Sequence, residues 1–190
     1  MPRGLMIAAA VVIAMVVGGA ALIRFAGGGA TEFRLTGAEM HIRGPITGAS
    51  AERFERLLEE AEGLEVVVLR DIPGADDAGW LIQMATFIRA AGLATRAEGD
   101  LNNDAILLFL AGASRDHVAG DLTITGAEAA RRQGWTFDAS PAGRTERASF
   151  ATRMLGSEDF AAFVQERRAL GGTYVLNADD IERFGLETGE

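Results

Sequence analysis

The chain has 190 residues, of which 48% are hydrophobic, and 18 basic against 27 acidic side chains give it a formal charge of −9. This length suits one domain of about 150 residues with an additional segment. The sequence contains no Cys, which excludes disulfides, thiol catalysis and cysteine-ligated zinc. A net acidic chain lacks the basic surface that displaces counterions from nucleic acids, so we expect no nucleic-acid partner.

The amino-terminal segment has the length and composition of a membrane anchor. Residues 4–23 are uncharged and mostly apolar, and they are bounded by Arg3 and Arg24. At about 1.5 Å per residue, a helix of this length spans roughly 30 Å, the thickness of the hydrocarbon core of a bilayer. The apolar run exceeds the roughly 7–15 residues of a signal-peptide core. We therefore predict a retained signal-anchor helix over residues 1–25, with cleavage as the alternative.

The orientation of this anchor follows from the short segment that precedes it, which is not easily translocated. We expect a single crossing of a bacterial inner membrane, with the amino terminus in the cytoplasm and the rest of the chain in the periplasm. Residues 26–31 form a glycine-rich linker, and residues 32–190 form the domain that it tethers.

The domain alternates short apolar strands with amphipathic helices. Residues 32–43 alternate apolar and polar side chains in two pieces, which is typical of a hairpin. Polar caps, among them Ser50 and Asp104, and glycine stops mark the elements that follow. The predicted helices are 51–61, 80–91, 105–111, 127–132, 144–155, 158–170 and 178–184, and the predicted strands are 64–69, 93–97, 122–125 and 174–176. This order predicts an α/β fold of ββα units on a mainly parallel sheet.

The order and spacing of these pieces resemble the Clp protease/crotonase superfamily over residues 40–126 and 173–187. The similar stretches are IRGPI at 42–46 with the helix and VVVL strand after it, Pro73-Gly74, AILLFLAG at 105–112, and YVLNADDIERFGL at 174–186. The resemblance implies a ClpP/crotonase-like spiral of ββα units, here preceded by one transmembrane helix. More specifically, the chain looks like a membrane-bound or periplasmic bacterial relative of the Clp proteolytic subunit. Because family members assemble as rings or trimers, the resemblance also implies a homo-oligomer.

The resemblance assigns the catalytic positions to residues that cannot perform the family's chemistry. Counted back from AILLFLAG, the nucleophilic serine position falls on Asn103. The catalytic histidine position falls on Thr125 or Gly126, and the aspartate position falls near Gly172. An amide is a poor nucleophile, and neither of the other two positions carries a base or an acid. The resemblance therefore predicts a catalytically degenerate member.

The turn that holds the oxyanion in the family is also altered. Gly74 is retained, but the second glycine of the family's turn is Ala75, and Asp76 and Asp77 follow it. Two carboxylates beside an oxyanion hole would repel a developing negative charge instead of stabilising it. We therefore interpret Gly74 and Ala75 as the remnant of an oxyanion turn.

Two enzymatic alternatives stay open at this point. A relocated triad could combine Ser114 or Ser140 with His41 or His117, although no local motif joins any of these pairs. A thioester-binding site of the crotonase type would need the two backbone amides and no serine. That site also needs a coenzyme A pocket and a cytoplasmic substrate supply, which a tethered outer domain does not suit.

One acidic cluster is the remaining candidate site. Asp71, Asp76, Asp77, Asp100 and Asp104 could form a polar, cation-binding cleft if their loops converge, because hard cations prefer several oxygen ligands. Their spacing lacks the pattern of a calcium-binding loop, and helix capping explains the pair before the helix at residue 80. We therefore expect no resident metal and no cofactor.

These observations together favour a membrane-anchored, periplasmic pseudo-enzyme. We expect it to act as a binding or scaffold protein, or as an accessory subunit of a membrane protein complex, with other envelope proteins as partners. The alternative is a membrane-bound serine hydrolase or peptidase with an unorthodox active site.

Overall fold

The computed structural model describes residues 30–132 and 140–188. The predicted anchor over residues 1–25, and all but the end of the predicted linker, lie outside the described residues. Within these two ranges, no helix is both long enough and apolar enough to cross a bilayer.

The described chain contains eight strands and seven helices. The strands are β1 Glu32–Thr36, β2 Glu39–Arg43, β3 Val66–Arg70, β4 Ala94–Glu98, β5 Leu101–Asn102, β6 Arg115–Ala119, β7 Leu122–Thr125 and β8 Thr173–Val175. The helices are α1 Gly48–Glu60, α2 Ala78–Ala90, α3 Ala105–Leu110, α4 Ala127–Arg132, α5 Pro141–Leu155, α6 Asp159–Ala169 and α7 Ala178–Arg183.

The strands form two sheets, and most of their pairings are parallel. The larger sheet has the order β1-β2-β3-β4-β6, in which only the β1–β2 hairpin is antiparallel, and the smaller sheet has the order β5-β7-β8. Strands β4 and β6 lie in the larger sheet, whereas β5 and β7, which follow them directly, lie in the smaller one. The units β4-β5-α3 and β6-β7-α4 therefore pass from the larger sheet to the smaller one, and the whole confirms the predicted α/β architecture with a mainly parallel sheet.

Three local predictions need correction. Helix α1 begins at Gly48 with Thr47 as its cap, and Ser50 instead completes a capping box with Thr47. The polar stretch at residues 99–103, for which the sequence predicts a loop, contains the short strand β5, which pairs in parallel with β7. The predicted strand 122–125 is β7, but a further strand that was not predicted, β6, precedes it, and a turn at Gly120 separates the two.

The two faces of the larger sheet differ in chemistry. On the inner face, alternate residues such as Met40, Ile42, Val67 and Leu69 are buried in one core with side chains of α1, α2 and α3, Phe54 among them. The opposite face, called here the outer face, carries a ladder of charged and polar side chains. Its members are Arg34, Glu39, His41, Arg70, Arg96, Glu98 and Asp116. Alternation of apolar and polar residues along β1 and β2 contributes to this division, because successive side chains of a strand point to opposite faces.

The chain end is fastened to the edge strand β6 by one buried guanidinium. Arg115 Nε donates to the carbonyl oxygen of Leu186 at 2.6 Å, and its Nη2 donates to that of Gly185 at 3.0 Å. The backbone N–H of Arg115 also donates to Thr188 Oγ1 at 2.7 Å. Burial lowers the pKa of Arg115 from its ordinary value, and the nearby Arg89 lowers it further.

Candidate functional site

The predicted nucleophile and base positions lie next to each other in a buried hydrogen-bonded junction. Asn103 follows β5 with φ of 51°, a left-handed conformation in which asparagine is tolerated better than most side chains. Its Oδ1 accepts a hydrogen bond from Thr125 N at 2.8 Å. The neighbouring Asn102 Oδ1 accepts one from Thr125 Oγ1 at 3.1 Å. The two amides therefore hold β7 against β5, and the Asn103 carboxamide has a structural role.

The alternative base position, Gly126, and the predicted aspartate position, Gly172, meet at the same junction. Gly126 N donates to the carbonyl oxygen of Gly172 at 2.8 Å, so the end of β7 abuts the turn before β8. A Cβ atom at Gly126 would lie 2.6 Å from Gly171 Cα and 2.8 Å from the carbonyl oxygen of Arg168. Real Cβ contacts of that length do not occur, so this backbone excludes a histidine at Gly126. A Cβ at Gly172 would meet no atom within 4 Å, so the missing aspartate is a matter of sequence alone.

The predicted oxyanion turn lies beside this junction. Gly74 has φ of 131°, which favours glycine, and a Cβ there would lie 3.8 Å from the carbonyl oxygen of Asn102. The turn is fixed by Ile46, whose N–H donates to Gly74 O at 3.0 Å and whose carbonyl accepts from Asp76 N at 3.1 Å. The side chain of Ala75 is buried. Gly74 and Ala75 thus form a hydrogen-bonded turn next to a position that carries no nucleophile.

The five carboxylates of the predicted cation cleft are not gathered into one group. Asp77 caps α2 by accepting from Gly79 N at 2.6 Å, and Asp71 pairs with Arg43 at 3.0 Å. Asp100 Oδ1 accepts from the backbone N–H of Asp121 at 2.9 Å. Within residues 30–132 and 140–188, no three acidic or histidine side chains are placed so that they could share a metal ion.

Asp104 has a different role from the predicted helix cap. It precedes α3, but its side chain makes no capping hydrogen bond. Its Oδ1 lies 2.7 Å from Arg168 Nη2, and its Oδ2 lies 3.3 Å from Arg147 Nη1. The side chain of Asp104 is only 2% exposed and that of Arg147 only 6%. We call these three residues the Asp104 cluster; a buried carboxylate needs such charged partners, which explains the departure from capping.

The three residues of the Asp104 cluster line a cavity of about 320 Å³. The cavity lies between α3, α5 and α6, and Asn103 also contributes to its wall. Its remaining walls are mostly apolar, and they include Leu107, Phe160 and Val164. The volume falls at the lower end of the range, about 300–1,000 Å³, that is typical of small-molecule sites.

The candidate residues for a relocated triad have other partners. Ser140 caps α5 by accepting from Gly143 N at 3.0 Å. His41 Nε2 lies 3.2 Å from Glu39 Oε2, and His117 Nε2 lies 2.8 Å from the carbonyl oxygen of Gly120. Ser114 precedes β6, where its carbonyl oxygen accepts from Thr95 N. In the two described ranges, no serine hydroxyl is hydrogen-bonded to a histidine.

His41 lies among the charged side chains of the outer face, and these act on its pKa. Burial lowers the pKa of His41 below its ordinary value of 6.5, and repulsion by Arg70 lowers it further. The carboxylates of Glu39 and Glu98 oppose this shift without reversing it. His41 is a member of the outer face, on the opposite side of the sheet from the core.

Solved structures of the same architecture identify the fold. A peptidase from Plasmodium falciparum superposes with a TM-score of 0.56 and 12% identity, over 80% of this chain and 94% of that chain. An enoyl-CoA hydratase/isomerase family protein from Silicibacter pomeroyi gives 0.55 and 16%, over 84% and 74% respectively. An enoyl-CoA hydratase from Geobacillus kaustophilus gives 0.52 and 15%, over 83% and 66%. The described domain thus has the crotonase-like fold that the order of its sequence elements suggests.

No protein-family model matches the sequence, and no curated protein matches it. The identities to solved structures are too low to carry an activity, so the likeness is one of fold. Function has to be argued from the side chains of this chain.

Sequence reasoning missed the Asp104 cluster. Arg168 lies in the last turn of α6, where a basic residue complements the helix dipole and needs no other explanation. Arg147 lies in α5 together with two other arginines and one glutamate, and nothing in that pattern marks it as buried. The only local signal is an acidic residue before the wholly apolar helix AILLFL, whose length and burial leave no solvated face beside it.

Proposed function

We propose that this chain is a non-hydrolytic binding module of crotonase-like fold, a degenerate ClpP-like protein that acts as a scaffold or accessory subunit. We further propose that its amino-terminal segment holds it at a bacterial inner membrane, with the domain in the periplasm and envelope proteins as its partners. The observation that carries the first proposal is the junction at Asn103, where the predicted nucleophile position is occupied by an amide that bonds to the predicted base position.

The junction supports loss of catalysis in two independent ways. Asn103 is committed to Thr125 N, so its amide is not available for chemistry even if an amide could attack. The backbone around Gly126 leaves no room for a side chain, so a histidine cannot be introduced at that one of the two candidate base positions. A fold that keeps the turn at Gly74 while closing the base position is better explained by binding than by hydrolysis.

A thioester-binding enzyme would need no serine, so the absence of a nucleophile and a base does not count against it. The fold neighbours include proteins described as enoyl-CoA hydratases. Asp76 and Asp77, both exposed directly after the turn, would oppose negative charge on a thioester oxygen held there. We therefore favour the binding module.

Hydrolytic activity is tested by labelling the full-length protein with a fluorophosphonate probe. We expect no labelling of the wild-type chain, and none of Asn103→Ser, because the variant gains a hydroxyl without a base. Ser114→Ala and Ser140→Ala serve as matched controls. Labelling of the wild type that disappears in either control would replace this proposal with the serine hydrolase alternative.

The anchoring and partner proposals are tested in cells. The full chain should sediment with membranes after carbonate extraction, and a protease added to spheroplasts should degrade its domain. Purification in mild detergent with the amino-terminal segment intact should recover a defined second protein. Recovery of the chain alone, as a monomer, would contradict the scaffold and accessory-subunit roles.

A further inference from the structure

The two edges of the larger sheet differ in what covers them. At one edge the chain end lies against β6, because Thr188 N donates to the carbonyl oxygen of Arg115 at 3.2 Å. At the other edge lies β1, and within residues 30–132 and 140–188 its strand residues make backbone hydrogen bonds with β2 alone. An open edge of this kind is a template for a further strand.

The hairpin that joins β1 to β2 determines which backbone groups of β1 face the open edge. Its turn has two residues, and the first of them, Gly37, has φ of 59°, which suits a type II′ turn. The pair that closes such a turn, here Thr36 and Glu39, is hydrogen-bonded, and bonded pairs then alternate along the ladder. The N–H and C=O groups of Phe33 and Leu35 therefore point to the open edge.

Two charged side chains of β1 lie beside these open groups. Glu32 and Arg34 are exposed, and they share the outer face because they are two positions apart on the strand. The outer-face charges of β3 and β4 form ion pairs within the chain, as Arg70 does with Glu98. In the two described ranges, neither Glu32 nor Arg34 has an ion-pair partner. Two opposite charges are thus presented at the edge.

The spacing of these charges favours one pairing of β1 with a second copy of itself. A two-fold antiparallel pairing that uses the open groups is centred on Phe33, Arg34 or Leu35. Centring on Arg34 places two guanidinium groups directly opposite each other, which is destabilising. Centring on Leu35 places no acid opposite Arg34. Centring on Phe33 places Glu32 of each copy opposite Arg34 of the other, so both pairs attract.

We propose that two copies of this chain pair through β1, antiparallel and centred on Phe33, so that their larger sheets form one continuous sheet. The backbone groups of the two Phe33 residues bond to each other, and two pairs of Glu32 with Arg34 flank them on the outer face. The proposal goes beyond the function proposed above, because this pairing requires neither a membrane nor a second protein. It is a two-fold contact, and it differs from the rings and trimers that the resemblance implies.

The first test measures the dissociation constant of the dimer by sedimentation equilibrium of the full-length protein in a density-matched detergent. Arg34→Glu places like charges opposite each other at two symmetric positions, so the dimer should be about tenfold weaker, and Glu32→Arg should act similarly. The double variant Glu32→Arg/Arg34→Glu exchanges the two charges and keeps the net charge, so it should recover most of the wild-type affinity. Arg132→Glu, at an exposed arginine on α4, is the matched control and should leave the dissociation constant unchanged.

The second test determines the register by disulfide formation, which is possible because the chain has no Cys of its own. In the proposed pairing, residue 32 of one copy and residue 34 of the other form a non-hydrogen-bonded pair with Cα atoms about 4.5 Å apart, within the range of a disulfide. Like positions are diagonal neighbours about 7–8 Å apart, beyond that range. An oxidised mixture of the Glu32→Cys and Arg34→Cys proteins should therefore form a covalent dimer, and either protein alone should form much less.

Three results would overturn the proposal: a folded wild-type chain that stays monomeric, a dimer whose dissociation constant is unchanged in folded Arg34→Glu, or equal cross-linking in the mixture and in either cysteine protein alone. A dimer held by the amino-terminal segment alone would give the second result. The outcomes are separable from those of the labelling experiment. Fluorophosphonate labelling of a β1 dimer would remove the proposed function and leave the pairing intact, whereas an unlabelled monomer would remove the pairing and leave the absence of hydrolysis intact.

Discussion

Arginine–carboxylate pairs occur in two regions of this molecule, and their surroundings differ sharply. On the outer face, the side chains of Arg70 and Glu98 pair while 47% and 21% exposed. In the Asp104 cluster, the carboxylate is 2% exposed and Arg147 is 6% exposed. The same chemical groups meet in both places, but water screens the first pair and is excluded from the second.

The comparison distinguishes exposed ion pairs, which contribute little to stability, from buried ion pairs, on which the folded structure depends. An exposed pair loses little when one partner is removed, because water solvates the remaining charge. Removing one partner from a buried cluster lowers the free energy of unfolding much more, because water does not fully solvate the charge that remains. The loss in the free energy of unfolding should therefore increase with the burial of the substituted group and not with the number of ion pairs broken.

The largest effect should come from Asp104→Ala. The substitution removes a buried carboxylate that pairs with Arg147 and Arg168, and the expected loss is about 3–5 kcal/mol in the free energy of unfolding. Urea denaturation of the full-length protein, followed by circular dichroism, measures it. A loss below about 1 kcal/mol would mean that the Asp104 cluster is solvated like the outer face.

The next largest effect should come from Asn103→Ala. It removes the acceptor for Thr125 N and leaves that buried donor unsatisfied, which costs about 1–3 kcal/mol. Alanine also tolerates the positive φ of this position poorly, so Asn103→Gly should be less destabilising than Asn103→Ala. Both losses are read from the same urea transitions, and a reversed order of the two variants would contradict the backbone argument.

A smaller effect links the outer face to pH. Because the pKa of His41 is lowered in the folded protein, the unfolded chain binds more protons below its ordinary value of 6.5. The free energy of unfolding should therefore fall as the pH drops below 6.5, and His41→Gln should flatten this dependence between pH 7.5 and 5.

Titration of Glu98 would add a second effect on stability at lower pH, so the effect of His41 is measured under mildly acidic conditions. Its hydrogen bond from Arg70 lowers the pKa of Glu98 below its ordinary value of 4.5, so its contribution is retained above that pH and lost below it. Melting temperatures of wild type and His41→Gln, recorded from pH 7.5 down to 5, check the His41 prediction. Parallel curves for the two proteins would contradict it.

The smallest effect should come from Glu98→Gln at neutral pH. The pair with Arg70 is partly exposed, so we expect a loss of less than about 1 kcal/mol, which the presence of 0.5 M NaCl should reduce further. The urea experiment used for Asp104→Ala provides the direct comparison. A loss equal to that of Asp104→Ala would remove the distinction between the two regions.

The sequence predicts the fold well because the fold depends on local patterns. Runs such as VVVL, with helices of period 3.6 between them and glycine after each, fix element type and order. The structure confirms these elements to within a few residues, and the order of the pieces identifies the architecture. The predicted start of α1 is wrong because Thr47 and Ser50 share the capping hydrogen bonds, and β5 was not predicted because it is only two residues long.

The site was less accessible to sequence reasoning because its parts lie far apart in the chain. Asn103, Gly126 and Gly172 were found through resemblance, and the structure brings these positions together. Asp104 and its two arginines were not found, since the carboxylate had an adequate local explanation as a cap. Burial of a charge is a tertiary property, and no spacing along the chain encodes it.

The attachment of the chain end by Arg115 has a practical consequence for expression and tagging. A truncation before Gly185 would remove both carbonyl acceptors of a buried guanidinium that the rest of the domain cannot replace. Shortened versions intended for crystallisation should therefore keep residues through Thr188, and affinity tags are better placed upstream of the domain. Proteolysis near this end would loosen strand β6 first, so a trimmed species should be recognisable by faster amide exchange along that strand.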